Sequence, residues 1–188
     1  MTVSLQGSFL IAANHLRDSN FYRSVVLMLD HNNQGAMGLV INRPSAMTIA
    51  KALAQHGSVS GGDAPVFVGG PVEPTALFIL HNCIALGKTD QEVAPGVFLA
   101  GSEDSFEAVV RGGKKPEAGV KFRLICGYAG WGEGQLEGEL ARGDWKILPA
   151  DGALILEEDP YGLWEVCTRR LHRANRMLPH NVRNPEWN

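Results

Sequence analysis

Ser24-Val-Val-Leu-Met-Leu-Asp-His31, followed by Met37-Gly-Leu-Val-Ile-Asn42, is the stretch whose reading decides the fold. Both runs are dense in aliphatic and β-branched residues and too short for stable helices. Between them His31-Asn-Asn-Gln-Gly35 supplies the polar residues and the glycine of a tight connection. Together they predict an antiparallel hairpin. Working outward, a strand is predicted over Leu5–Ala12, with a polar loop from Asn14 to Asn20. Pro44 is expected to end the second hairpin strand and Ser45 to cap a short helix over Met47–His56, stopped by Gly57.

Further on, Val66–Val68 reads as a strand leading into Gly69-Gly-Pro-Val-Glu-Pro74, where two glycines permit close backbone approach and two prolines stiffen the exit. Leu77–His81 and Val97–Ala100 are the next strands. A helix capped by Ser102 runs to about Arg111, and a surface loop spans Gly112–Gly119. The mainly apolar Phe122–Gly127 reads as an interior strand. A glycine-rich turn at Trp131–Gly134 then opens a helix over Gln135–Ala141. Trp145–Leu148 is a strand ended by Pro149, Ala153–Leu156 is a further apolar segment, and the last helix runs from about Leu163 to Met177.

Short strands alternating with a few helices, without a strict βαβ cadence, predict an α/β fold: a single compact layered domain over 1–188 with a mixed β-sheet covered by helices. A small subdomain at about 75–120 is the alternative division. The 188 residues are 45% hydrophobic, enough to bury one substantial core. A formal charge of -3 gives no global reason to bind a polyanion, which argues against a general nucleic-acid binder. The N-terminal residues lack the pattern of a signal peptide and no apolar run is long enough for a membrane span, so a cytoplasmic location is expected. Cys83, Cys126 and Cys167 are widely spaced and read as buried thiols.

The candidate ligand-binding residues are His31, Asn42, Gly69, Gly70, His81, Tyr128, Trp131 and Gln135. His31, Asn42 and His81 each border a predicted strand end, where an imidazole can act as a base and an amide can orient a ligand. Equally, such side chains can bond loop backbone and tie strand ends together. The 127–137 turn frees backbone at four glycines and offers helix amides to an anion, yet it has neither a Walker nor a dinucleotide pattern, and Glu133 and Glu137 would repel phosphate. Its alternative is a tight turn in which Tyr128 and Trp131 pack. Arg169, Arg170, Arg173 and Arg176 form a candidate basic surface on the last helix, to be weighed against an ordinary solvated helix face. No catalytic set, metal site or cofactor is indicated, because no serine sits in a nucleophile elbow and no pair of carboxylates is matched by spacing.

Three blocks carry a resemblance. The first is Gly7-Ser-Phe-Leu-Ile-Ala12 with Asp18, Phe21, Arg23-Ser-Val-Val26, His31 and Gly35-Ala-Met-Gly-Leu-Val-Ile-Asn-Arg-Pro44. The second is Val68-Gly-Gly-Pro-Val72 with Leu80-His81. The third is Gly127-Tyr-Ala-Gly-Trp131 with Gly134-Gln-Leu-Glu137, Glu139 and Trp145, and Leu163-Trp164 closes the set. In this order they resemble the bacterial YqgE/AlgH family. Asn14 stands where the family commonly has proline, and an arginine usual before the second strand of the middle block is replaced near Ala76. The resemblance implies a cytoplasmic α/β protein without established enzymatic activity, some members being described as transcriptional regulators by association.

The function expected is therefore a non-catalytic regulatory or interaction protein, an enzyme being the less favoured class. Its partner is expected to be a protein or an unidentified small molecule. One alternative is a small-molecule binder or enzyme with a cleft near His31, Asn42, His81 and the 127–137 turn. A second is a weak DNA-associated regulator using the basic helix. Oligomeric state is not legible in the sequence.

Overall fold

A computed structural model describes residues 4–54, 61–86, 89–111 and 120–177, with side chains through residue 174. The expected helix stop at Gly57 and the loop at 112–119 lie outside the described residues. The hairpin that set the reading is present as β2 (Val25–Asn32) and β3 (Gly35–Val40), following β1 (Ser8–Ala12). Phe9, Leu10, Ile11 and Ala12 are all buried, as are Val25 to Leu29. These strands are therefore covered on both faces, which explains why they read as continuous apolar runs.

The region after Pro44 departs from expectation. Pro44 opens a strand, β4 (Pro44–Thr48), which pairs with β5 (Pro65–Val68). A missing N–H at the first residue of a strand paired on one side breaks no ladder, so proline is tolerated there. The cap is Thr48, whose hydroxyl accepts from Lys51 N, and the helix α1 is short (Ile49–Ala52). Next come β6 (Val72–His81), β7 (Gln91–Ala94) and β8 (Val97–Leu99). The helix α2 (Glu103–Val110) is capped by Ser102 as its sequence suggested.

The strand β9 (Phe122–Gly132) is longer than predicted, so the 127–137 turn is corrected: only Glu133 and Gly134 turn, before α3 (Gln135–Arg142). Glycine at 127 does not end the strand. Its φ of +71° bends it, so that β9 pairs with β5 and β6 up to Tyr128 and with β3 from Ala129 to Gly132. After β10 (Trp145–Pro149), the apolar segment Gly152–Leu156 forms α4, and Leu163–Met177 forms α5.

Strand order is β10-β1-β2-β3-β9-β6-β8-β7, antiparallel except for the parallel β5–β9 contact. One face carries Phe9, Ile11, Leu27 and Ile125 against Leu154 and Ile155 of α4 and Leu163, Trp164 and Cys167 of α5. The opposite face is covered in two parts. Leu10, Val26, Met28 and Trp131 meet Leu136 of α3, whereas Val66, Ile79 and Leu124 meet Ile49 of α1 and Val109 and Val110 of α2. The two ends of the sheet also approach each other. Gly152 lies so close to the Pro95 carbonyl that a Cβ would collide with it, and a Cβ on Gly7 would stand 3.6 Å from the Val93 carbonyl. No strand pairing joins β7 to β1 or β10 among the described residues.

Candidate functional site

The polar strand ends do not form one cleft. His81 pairs across the sheet with Phe122, at the start of β9, whereas His31 lies in the row of Ala36 and Trp131, near its end. From Phe122 to Trp131 the strand covers about 30 Å at roughly 3.3 Å per residue. Asn42 is at the opposite end of β2 from His31, with Oδ1 accepting from Val25 N at 2.9 Å and Nδ2 donating to Arg23 O at 3.0 Å. Cavities of about 540 and 470 Å³ are lined instead by residues around Pro95, among them Glu92, Val93, Leu148 and Gly152.

Each histidine is consumed locally. Cys83 N donates to His81 Nδ1 at 3.2 Å, which places the proton on Nε2, and Nε2 donates to Asp90 Oδ2 at 2.9 Å. Asp90 also accepts from the Ser105 hydroxyl and, at 3.0 Å, from Gly101 N. Burial holds the His81 pKa below its ordinary 6.5, outweighing the pull of Asp90. Burial alone would raise Asp90, but bonds from Ser105, Gly101 and His81 hold its carboxyl below the usual value. The residue types are those of a hydrolase triad, yet the serine bonds the carboxylate and not the imidazole, and His81 has no exposed surface. This arrangement ties the end of β6, the start of β7 and the first turn of α2 together.

His31 is used similarly. Leu5 N donates to its Nδ1 at 3.1 Å and its Nε2 donates to Glu137 Oε1 at 2.9 Å, a bond that holds the Glu137 carboxyl below its usual range. Two residues further along α3, Glu139 Oε2 accepts from the indole nitrogens of both Trp131 and Trp145, each at 2.8 Å. Gln135 completes the set by donating to Glu139 Oε1 at 3.0 Å and accepting from Gly132 N at 3.1 Å. These bonds dock α3 onto the sheet. Tyr128 packs edge-on against Phe78, with its hydroxyl 3.4 Å from Glu73. Gly69 and Gly70 lie where side chains would collide with the backbone of Gly127 and Tyr128, so their requirement is close chain approach.

The surface outside these clamps is cationic along one side of α5. Arg23 stacks over the Tyr22 ring at 5.5 Å and the Trp164 ring at 5.1 Å, and Arg17 lies over Tyr22 at 5.6 Å. Glu165 is 3.4 Å from Arg23, and successive turns from it carry Arg169 and Arg173, on the same helix face. Both arginines are exposed, and no ion pair holds either among the described residues. They line a cavity of about 260 Å³ with Thr168 and His172. Arg170 departs from the set, since it turns to Asp151 at 2.7 Å. The side chain of Arg176 lies outside the described residues. Among the described residues no three His, Cys, Asp or Glu side chains are placed to hold a metal ion, and no helix is long and apolar enough to cross a membrane.

The model of the AlgH-like family matches residues 9–175, nearly all of the described fold. The chain belongs to the AlgH-like family. Similar relatives include a UPF0301 protein of Hahella chejuensis, 42% identical over 81% of this chain and 80% of the relative. Another UPF0301 protein, from Myxococcus xanthus, is 39% identical over 93% of this chain and 95% of its own. The solution structure of the AlgH protein from Pseudomonas aeruginosa superimposes with a TM-score of 0.73 at 35% identity, covering 91% of this chain and 90% of that one. The crystal structure of protein DIP2367 from Corynebacterium diphtheriae shares the fold, with a TM-score of 0.69 at 22% identity over 88% and 86% of the chains.

For this AlgH-like chain, the sequence missed Arg17, Tyr22, Arg23 and Trp164 as a group. Their proximity depends on α5 packing against the start of β2, a contact between residues about 140 positions apart in the chain, for which local pattern carries no signal. Arg123 was missed too, although a lone arginine inside an apolar strand was a visible sign. Its guanidinium is buried, donates to Ile41 O at 2.7 Å and Glu158 O at 2.9 Å, and is lowered to about 10 by burial.

Proposed function

We propose that this AlgH-like chain is a non-catalytic regulatory or interaction protein, acting in the cytoplasm, that docks an acidic protein partner on the face formed by loop residues 17–23 and α5. One observation carries the reading: Arg23, bonded to Glu165, adjoins the α5 face that carries Arg169 and Arg173, and Arg17 shares the Tyr22 ring with Arg23. The two candidate imidazoles, His31 and His81, have both ring nitrogens engaged in clamps. Complementary charge across an interface accelerates encounter and selects partners. Its effect weakens with salt, since the Debye length is about 10 Å at 0.1 M.

The test compares wild type with the Arg169→Glu/Arg173→Glu double variant as baits in extract from the native bacterium. Wild type is expected to retain a specific protein at low salt that the double variant loses, with unchanged melting temperature in both. Identical retained sets, or no specific protein at any ionic strength, would count decisively against the proposal.

A further inference from the structure

We propose that the corner made by Arg17, Tyr22, Arg23 and Trp164 is a binding site for a side-chain carboxylate of an acidic polypeptide, and that Glu165 occupies it in the free chain. This rests on the reading of the cationic face as an interaction surface and names the chemistry of one point within it.

The corner is built with unusual rigidity for a surface loop. Arg23 has a φ of +51°, a left-handed conformation that a residue with a Cβ adopts at some expense and that persists only when its surroundings impose it. Those surroundings are present. Asn42 donates to the Arg23 carbonyl, the Ser24 hydroxyl donates to Phe21 O at 2.8 Å, and Arg43 donates to Ser19 O at 2.9 Å and Tyr22 O at 3.1 Å. Trp164 is fixed by its own bond, from Nε1 to Ala12 O at 2.9 Å. A guanidinium stacked on two rings keeps its N–H groups directed outward in the plane, the geometry that receives a carboxylate side-on.

The carboxylate already there fits poorly. A charge-assisted N–H···O bond is about 2.7–2.9 Å long. Glu165 Oε1 stands 3.4 Å from Arg23 Nη1, and Glu165 Oε2 is a buried side-chain oxygen with no hydrogen-bond partner. Glu165 is tethered to helix α5, and from there its carboxylate stands at this long separation from Arg23. An acid arriving from a partner has no such tether and can close on Arg23 at the ordinary charge-assisted distance. Displacing Glu165 sacrifices one long, half-exposed bond, and its broad terminal torsion lets it turn away.

A polypeptide suits this corner better than duplex DNA. Asp18 and Glu165 lie among the arginines, an alternation that isolated acidic side chains can match. A duplex carries a charge every ~1.7 Å of axis and would press phosphates against both acids.

The experiment uses the full chain and fluorescence anisotropy at low ionic strength, with a capped Asp/Ser peptide of about 12 residues and a duplex of matched charge as probes. Arg23→Gly removes the cation while glycine accepts the left-handed backbone, and it should weaken peptide binding by about tenfold. Glu165→Gln should tighten it by roughly threefold or more, because the stand-in loses its charge. The duplex should bind no more tightly than the peptide. Unchanged or weaker peptide binding by Glu165→Gln overturns the proposal, as does tighter binding of the duplex or no peptide binding by either protein. If Arg169→Glu/Arg173→Glu abolishes binding while Arg23→Gly leaves it intact, the docking face stands and this corner falls.

Discussion

A histidine with no accessible surface must be either compensated or kept neutral, and His81 is kept neutral by accepting at Nδ1 and donating at Nε2. Because burial depresses its pKa, the unfolded chain binds a proton at His81 at pH values where the folded chain does not. Stability from this group is complete above the unfolded value of 6.5 and declines as pH falls below it toward the folded value. Asp90 has the same sign at lower pH, its contribution being lost as the solution is acidified below the ordinary carboxylate value of 3.8. His81→Gln is therefore expected to flatten the fall of urea-melting stability below pH 6.5 relative to wild type. An unchanged slope in that window would show that His81 is not the group responsible. His81 was conspicuous in the sequence as a polar residue ending an apolar strand. Its partner Asp90, and Ser105 that bonds this carboxylate in turn, were not, because they are brought there by the β7–β8 hairpin and the α2 cap.

Among the elements, α3 shows how a surface helix is fastened by acids and not chiefly by its apolar stripe. Leu136 is its one buried residue, while Glu137 and Glu139 bond an imidazole and two indoles. Glu139→Ala would leave two largely buried indole N–H groups without an acceptor, at about 1–3 kcal/mol each, so a loss of about 2–6 kcal/mol is expected. Chemical denaturation measures it, and a red shift of tryptophan emission should accompany it. Loss below 1 kcal/mol would mean that water replaces the carboxylate. The helix itself was legible from Gln135 onward, since Gly134 precedes it and Gly143 ends it. Strand β9 was only half legible. Glycines at 127, 130 and 132 read as a loop in one dimension, but β3 supplies the hydrogen bonds that keep this stretch extended, down to the pairing of Gly35 with Gly132. The same limit applies to Pro44, which reads as a terminator until its position at the start of a one-sided strand is known.

At the scale of the whole molecule, the apolar residues divide between two faces of one sheet, and neither face has the same cover throughout. Helix α5 closes much of one face with Leu163, Trp164 and Cys167, whose thiol is pushed up to about 12 by burial. Its side chains fill the space over Val25, Leu27 and Leu39, all fully buried. Burying a large apolar side chain contributes about 1.5–3 kcal/mol, so losing three removes much of a typical domain's margin of about 5–15 kcal/mol. A chain ended after Gly162 is expected to lose its cooperative melting transition and bind a hydrophobic dye, as calorimetry and dye fluorescence would record. A sharp transition near the wild-type temperature would show that the sheet and the remaining helices suffice. This layered plan was legible because Phe9–Ala12 and Val25–Leu29 alternate between two buried faces without a polar side.

The proximity of Gly152 to Pro95 and of Gly7 to Val93 gives the sheet two ends that touch without pairing as strands among the described residues. A ladder broken at one line has a natural place to breathe. Deuterium should enter the amides of β7 and β10 earlier than those of β2 and β3, and a bulkier residue at 152 should widen the difference. Motion in this protein is thus expected to resemble the parting of a clasp, with the central strands as its stationary spine.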